Sequence, residues 1–316
     1  MRFRVFCLII SLTALSTTLF AQHSSEIGLQ TDNDSYLFQG SDRYYTDGIF
    51  LFYRHALKTS NNPSLQNKVL GFDLGQKIYN PQTGNIPSAN TVDRPFAGYL
   101  YAGASLNLLY KNESNLKLGA QIGVIGPAAG GEGTQKFIHD TFGFYPINGW
   151  KYQIQNAFQL NLSAEYNRLL TRSDGFDVSV SAYGNLGTGF TGAGAGPLFR
   201  LGKLGQLFNS ISTQSTAIAK ENAKESKGEL FLHYKLQFNY VAYDATIEGG
   251  LFNKQQTGSL EVTRVPNRAI FSNQVGVSFV SKRWVIDYTA NFPTSAVKPQ
   301  HYSQQWASVT LLYRFN

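Results

Sequence analysis

His139 and Gln135 stand four apart in the stretch GAQIGVIGPAAGGEGTQKFIHDTFGFYP, residues 119–146, so on a helix they share one face and aim at one point. An imidazole gains and loses its proton near neutral pH, which suits His139 to take a proton from a water attacking an ester. Upstream, Thr31-Asp32-Asn33-Asp34-Ser35-Tyr36 is followed by Ser41-Asp42-Arg43-Tyr44-Tyr45-Thr46-Asp47-Gly48. If one loop joins the two runs, Asn33, Asp34 and Thr46 meet at one rim. Oxygen donors at that density suit a hard cation, above all calcium, which takes about six to eight oxygens in flexible geometry. The EF-hand spacing is absent. Ser35 and Ser41 are alternative nucleophiles for a covalent route, although neither sits in a serine elbow, and His301 is the one further imidazole on an outer loop. Blander readings fit the same residues: a histidine that makes a single hydrogen bond in an ordered loop, and Asx-rich turns whose side chains cap backbone groups.

These residues need rigid elements to hold them. Leu118, Ala120, Ile122 and Val124 share one face of an alternating strand, which breaks at Gly126-Pro127 and passes through Gly130-Gly131 into the helix-like turn carrying Gln135 and His139. The same period of two recurs along the chain, as in Phe158, Leu160, Leu162, Ala164 and Tyr166 between Gln159, Asn161, Ser163 and Glu165. Twelve strands are expected, at 24–31, 45–56, 67–79, 97–110, 116–125, 155–168, 176–187, 192–202, 229–242, 268–280, 283–292 and 305–315. A soluble sandwich alternates too. Three features favour an all-β transmembrane antiparallel barrel with a short helical segment in an external loop: strand lengths near those that cross a bilayer when tilted, a second face of Gln, Asn, Ser, Thr, Lys and Gly suited to a polar lumen, and aromatics at strand ends. Tyr44-Tyr45, Tyr99 with Tyr101, Phe142 to Tyr145, and Tyr313 with Phe315 are expected to form interfacial girdles. With both termini in the periplasm, 32–44, 80–96, 126–154, 188–191, 243–267 and 293–304 are external. The polar segment 203–228 then falls at the periplasmic end, as a small plugging or capping helix, unless the eighth strand is misplaced.

Residues 1–21 combine Arg2 and Arg4, an apolar run from Val5 to Ile10 and a small Ala21, the pattern of a secretory signal, leaving 22–316 as the barrel domain. Cys7, the only cysteine, lies inside that segment, so the mature chain has no disulfide, thiolate metal site or catalytic thiol. Removing the two arginines lowers the formal charge from +7 to +5. The remaining basic residues are scattered, which suits an anionic lipid surface or solvated barrel ends and gives no clustered nucleic-acid patch. Signal and barrel together point to a bacterial outer membrane.

Two further rim motifs are Asp93-Arg94-Pro95-Phe96-Ala97-Gly98-Tyr99, whose Arg94 could bind a phosphate or pair with Asp93, and Gly149-Trp150-Lys151-Tyr152-Gln153, for which structural roles fit better. Asn33-Asp34, Asp42 to Gly48, Asp93 to Gly98, Gly123 to Pro127 with Gln135 and His139, and Gly149-Trp150 with Gln153 occur in this order across residues 26–156. Together they resemble the outer-membrane lipid A 3′-O-deacylase (LpxR-like) family. Each motif alone is weak; five in sequence are specific. Beyond residue 156 the resemblance is carried by barrel patterning alone. It implies a twelve-stranded barrel that hydrolyses the ester of the 3′ acyloxyacyl chain of lipid A or lipopolysaccharide at the outer leaflet, with Ca2+ as cofactor. Its functional positions fall on Asn33, Asp34, Thr46, Gln135 and His139, with Asn33 and Asp34 as metal ligands and a monomer as the expected state. The family enzyme carries an active-site lysine shortly after the third strand, but here Asn80 to Thr91 contains none and Lys77 precedes it, so Arg94 or Lys136 is the candidate for holding a lipid phosphate. A passive porin or structural barrel, or an outer-membrane phospholipase, is the competing reading.

Overall fold

In the computed structural model, which describes residues 23–38, 42–59, 62–219, 228–253, 258–298 and 300–316, twelve antiparallel strands close into one barrel. They are β1 (Ser25–Asn33), β2 (Tyr44–Ala56), β3 (Leu65–Asn80), β4 (Ala97–Tyr110), β5 (Ser114–Ile125), β6 (Ala157–Ser173), β7 (Phe176–Gly187), β8 (Phe190–Lys203), β9 (Glu229–Asp244), β10 (Ala269–Val280), β11 (Trp284–Pro293) and β12 (Trp306–Phe315). Each pairs with its sequence neighbours, and β1 closes on β12 with Ser25 opposite Phe315 and Asn33 opposite Ala307. Closure removes the sheet edges that an open sheet would leave. The expected strands are all present. The largest boundary difference is β6, which runs on to Ser173 because a bulge between Leu169 and Thr171 resets the alternation and lets pairing continue. The signal segment 1–21 lies outside the described residues.

Alternation sorts the two faces as a membrane barrel requires. Ile27, Leu29, Leu51, Leu74, Ile122, Leu160, Leu162, Leu232 and Val275 are exposed on the outer wall, while Asn107, Asn161, Asp177, Ser179 and Thr310 are buried inside. The girdle expectation holds at the turn end and, at the loop end, for the exposed Phe142 and Phe144. At the turn end the contacts are between strands. There Trp284 packs on Tyr313 and Tyr53 lies near Phe315. At the other end Tyr44, Tyr45, Tyr99 and Tyr101 are all buried, with Tyr99 stacked on Tyr101 and edge-on to Phe190. The correction follows from parity: Leu100 is exposed on the outer wall, so Tyr99 and Tyr101 on either side of it point inward.

The short turns, such as 111–113, 174–175 and 281–283, gather at one end, and the long loops 81–96, 126–156, 245–268 and 294–305 at the other. Segment 204–219 crosses the lumen at the turn end without forming an α-helix; it contains two 3-10 turns, Leu207–Asn209 and Ile211–Thr213, and residues 220–227 lie outside the described residues. Strands all around the barrel hold it. Asn67 donates to the carbonyl of Ala217 at 2.8 Å and Asn107 to that of Thr213 at 2.8 Å, while Arg314 donates to Thr216 at 3.2 Å. On the far wall Arg200 makes a two-pronged pair with Asp177 at 2.9 and 2.6 Å and donates to Ser210 at 2.8 Å. The eighth strand is therefore correctly placed, and the segment after it is a plug.

Candidate active site

The long loop after β5 forms helix α1, Gly131–Phe142. Three glycines frame it: Gly126 (φ 97°) turns the chain off the strand, Gly130 (φ 70°) starts the helix, and Gly143 (φ 73°) ends it. Its buried face is Gly131, Gln135 and His139, the four-residue spacing expected from the sequence. Gly131 makes the docking possible, because a Cβ there would stand 2.8 Å from the Trp150 ring and 3.0 Å from Gly98 Cα. Trp150 is buried against Phe96 and donates from Nε1 to Gln135 Oε1 at 2.8 Å, fixing which way the amide points.

On the opposite side of the site, β1 ends in a 3-10 turn, Asp34–Leu37, capped by Asn33, whose Oδ1 accepts from the Ser35 N–H at 2.7 Å. Tyr44 enters β2 with φ 68°, and a bulge between Tyr45 and Asp47 leaves Thr46 out of the ladder. Bulges re-aim side chains beside sites, and Thr46 here donates to Asp42. Asn33 is paired with Asp47 across β1 and β2 and donates to its carboxylate at 2.5 Å. Both residues share the parity of the exposed Leu29, Ile49 and Leu51. The site therefore lies on the outer side of the wall, under α1, and not in the lumen.

These parts enclose a cavity of about 160 Å³ lined by Asn33, Asp34, Ser35, Asp42, Thr46, Asp47, Ile138, His139, Phe144 and Tyr145. Asp42 is its hub. Oδ1 accepts from Thr46 and, at 3.4 Å, from Gln135; Oδ2 accepts from the Tyr145 hydroxyl at 2.5 Å and meets His139 Nε2 at 3.0 Å. His139 Nδ1 lies 2.7 Å from the Tyr145 carbonyl oxygen. A carbonyl can only accept, so Nδ1 carries a proton and Nε2 is the atom that titrates. Burial pulls the imidazole pKa down, but the bonds to Asp42 and to the Tyr145 carbonyl outweigh it and the net shift is upward. For Asp42 burial pushes up, while hydrogen bonds from His139, Thr46 and Tyr145 win and hold the carboxyl below its ordinary value. Burial also raises the Tyr145 hydroxyl, keeping it a neutral donor.

Asn33, Asp34, Thr46 and His139 thus line one cavity, and Gln135 reaches it through Asp42. Arg94 and Lys136 do not join them. Arg94 is fully buried, 4.1 Å above the Tyr79 ring and donating to Thr246 at 2.9 Å, and Lys136 lies on the exposed side of α1, 2.5 Å from Glu132. Lys77 faces inward, lining a lumenal cavity with Asp32, Tyr45 and Tyr79. Among the described residues no serine hydroxyl bonds His139, and Ser41 lies outside them. Asp42, Asp47 and Tyr145 are the site residues that sequence reasoning did not single out. The spacing of Asp42 and Thr46 on either side of the strand entry was the available signal for the first.

The sequence matches the model of the family described as outer membrane protein LpxR over residues 5–315. The chain belongs to this family. LpxR from Salmonella typhimurium has the same fold, with a TM-score of 0.75 and 23% identity over 92% of this chain and 100% of that one. The β-domain of the Bordetella autotransporter BrkA has a TM-score of 0.48 and 10% identity, and the KdgM porin 0.40 and 8%, each covering 92% of this chain and 99% of its own. No curated protein matches the sequence. Membership of the LpxR family places the protein in the bacterial outer membrane and supports a lipid A deacylase-type function, with lipid A or lipopolysaccharide as the implied substrate.

Proposed function

We propose that the protein is a monomeric, calcium-dependent esterase that removes the 3′-linked acyloxyacyl chain of lipid A in the outer leaflet. The observation that carries this reading is the position of His139. Its proton-accepting nitrogen faces a carboxylate in a cavity on the lipid side of the barrel wall, where an ester within a membrane lipid can arrive without crossing the lumen. In the neutral imidazole the lone pair is on Nε2. A water bonded there in place of Asp42 gives its proton to the ring as its oxygen bonds to the acyl carbon, the displaced carboxylate of Asp42 stays close enough to stabilise the imidazolium, and the imidazolium returns the proton to the sugar oxygen as the ester C–O bond breaks. Tyr145 holds the ring through its carbonyl, and Gln135 and Thr46 hold the carboxylate. Ile138 and Phe144 supply an apolar wall suited to an acyl chain.

The lining fits a hard cation by its chemistry. It contains the carboxylates of Asp34, Asp42 and Asp47, the Asn33 amide and the Thr46 hydroxyl, and no lysine or arginine. Asn33 and Asp34 are the proposed ligands, with Asp47 beside them. Among the described residues no three His, Asp or Glu side chains are gathered closely enough to hold a metal as they stand, so the carboxylates would turn to meet the ion. Bound calcium would supply positive charge for the ester oxyanion.

Mass spectrometry of lipid A from cells making the protein tests the reading. Loss of the 3′ acyloxyacyl chain, dependent on calcium, is the expected result. Unchanged lipid A with cleaved glycerophospholipids would move the activity to a phospholipase.

A further inference from the structure

We infer that Arg43 is the anion-binding residue of this site and takes a phosphate group on the glycolipid substrate, an inference that rests on the deacylase reading above. Arg43 stands between Asp42, which holds His139, and the fully buried Tyr44. Its backbone N–H donates to Asp34 Oδ2 at 2.9 Å, so its main chain is tied to a residue of the cavity lining. The guanidinium, one side-chain length away, lies 4.5 Å from the centre of the Tyr302 ring. Tyr302 is itself fixed, because its N–H donates to the Tyr44 hydroxyl at 3.0 Å and that hydroxyl donates to Asp93 at 2.8 Å.

Among the described residues Arg43 forms no ion pair, and its Nε is buried without a hydrogen-bond partner. Among the described residues most other cations of the loop end are engaged otherwise, and Lys298 is exposed. Lys136 pairs with Glu132, Arg268 with Glu248, Arg264 donates to the Val92 and Thr263 carbonyls, and Arg94 is buried on Tyr79. Lys151 lies over Tyr152 and lines a separate cleft. A guanidinium stacked on a ring by its face keeps its N–H edge available, and that edge matches two phosphate oxygens at once. The cavity is lined by the carboxyl groups of Asp34, Asp42 and Asp47 and by no lysine or arginine, so it offers a phosphate no partner and the phosphate has to bind beyond its mouth. Arg43 offers an uncompensated and already oriented cation at that distance, in the role for which Arg94 and Lys136 are misplaced.

The test measures binding of lipid A and of fully dephosphorylated lipid A to the whole protein in detergent micelles, in a His139→Ala background so that no turnover intervenes. Arg43→Gln should weaken the phosphorylated lipid by about tenfold or more and leave the dephosphorylated lipid unchanged, with Arg43→Lys in between. Equal losses for both lipids, or none for either, would overturn the inference. So would inorganic phosphate binding at Arg43 as tightly as the lipid does, which would assign the site to free phosphate. Turnover is read separately with His139 intact: a protein that cleaves neither lipid refutes the deacylase reading, while the binding comparison still decides the role of Arg43.

Discussion

Asp42 Oδ2 meets His139 Nε2 at 3.0 Å, joining the loop before β2 to the helix after β5 across the outer wall of the barrel. With Nδ1 committed to a carbonyl, each partner shifts the titration of the other, raising His139 and lowering Asp42. The contact favours the charged imidazole, whereas ester hydrolysis needs it neutral. Docking of α1 and catalysis thus make opposite demands on one hydrogen bond.

The pH profile should record this. Activity requires neutral His139, so the acid limb of kcat/KM is expected above the ordinary histidine value of about 6.5. Asp42→Asn removes the bonds and charge that raise the imidazole and leaves the burial that lowers it, so the limb should move to lower pH, with kcat reduced about a hundredfold by lost orientation. An unmoved limb would show that another group titrates. Stability follows the reverse sign. The raised His139 contributes fully below its unfolded value and loses that contribution as pH climbs through its folded one, while the lowered Asp42 contributes above its unfolded value and loses it as pH falls. Docking of α1, followed by hydrogen exchange, should be tightest between about pH 4 and 6.5.

His139→Ala and Asp34→Ala should each lower deacylation by about a hundredfold or more. Neither residue belongs to a barrel strand, so heat-modifiable gel mobility should report an intact barrel. Chelation should silence the wild type and added calcium restore it, with Asp34→Ala needing more calcium. Activity that survives chelation would favour a serine route through Ser35.

Gly131 carries a more local prediction. An alanine Cβ would press on Trp150 and on Gly98 Cα, costing about 1–3 kcal/mol of docking energy, and would lift Gln135 and His139 from Asp42. Activity should fall about tenfold or more with the barrel unchanged. Gly133→Ala, where a Cβ meets nothing within 4 Å, is the control and should be silent.

The barrel was legible because a period of two survives in nearly every strand, and the chemistry was legible where residues four apart share a helix face. Gln135 and His139 show the second case. What escaped depended on depth or on long-range pairing. Arg94 reads as a rim cation in sequence, yet Phe96 and Trp150 pull its segment under the loops and it stacks on Tyr79. Asp42 and Tyr145 are joined only in space, and beyond the spacing of Asp42 and Thr46 no local pattern marks a carboxylate that four separate side chains will address. The plug was visible only as polar chain without alternation, since its order comes from strand side chains that bond its backbone.

That plug distinguishes this barrel from an open pore. Arg200 and Asp177 are both fully buried, with Glu229 3.7 Å from the same guanidinium and accepting from Ser210 at 2.8 Å, so the segment is clamped by charges that water cannot reach. Removing one member of such a group leaves the others uncompensated, at a cost of about 3–5 kcal/mol. Wild-type protein in planar bilayers should pass no steady ionic current, because 204–219 crosses the lumen and is tied to β1, β3, β4, β8 and β12. Arg200→Ala should loosen the clamp and produce intermittent conductance steps, and deletion of 207–219 should open the lumen lastingly. Because the proposed active site lies on the outer wall at the opposite end, both variants that still fold should keep deacylating lipid A. Steady wild-type conductance would revive the porin reading, and loss of activity in a folded, unplugged barrel would show that the lumen takes part in the reaction.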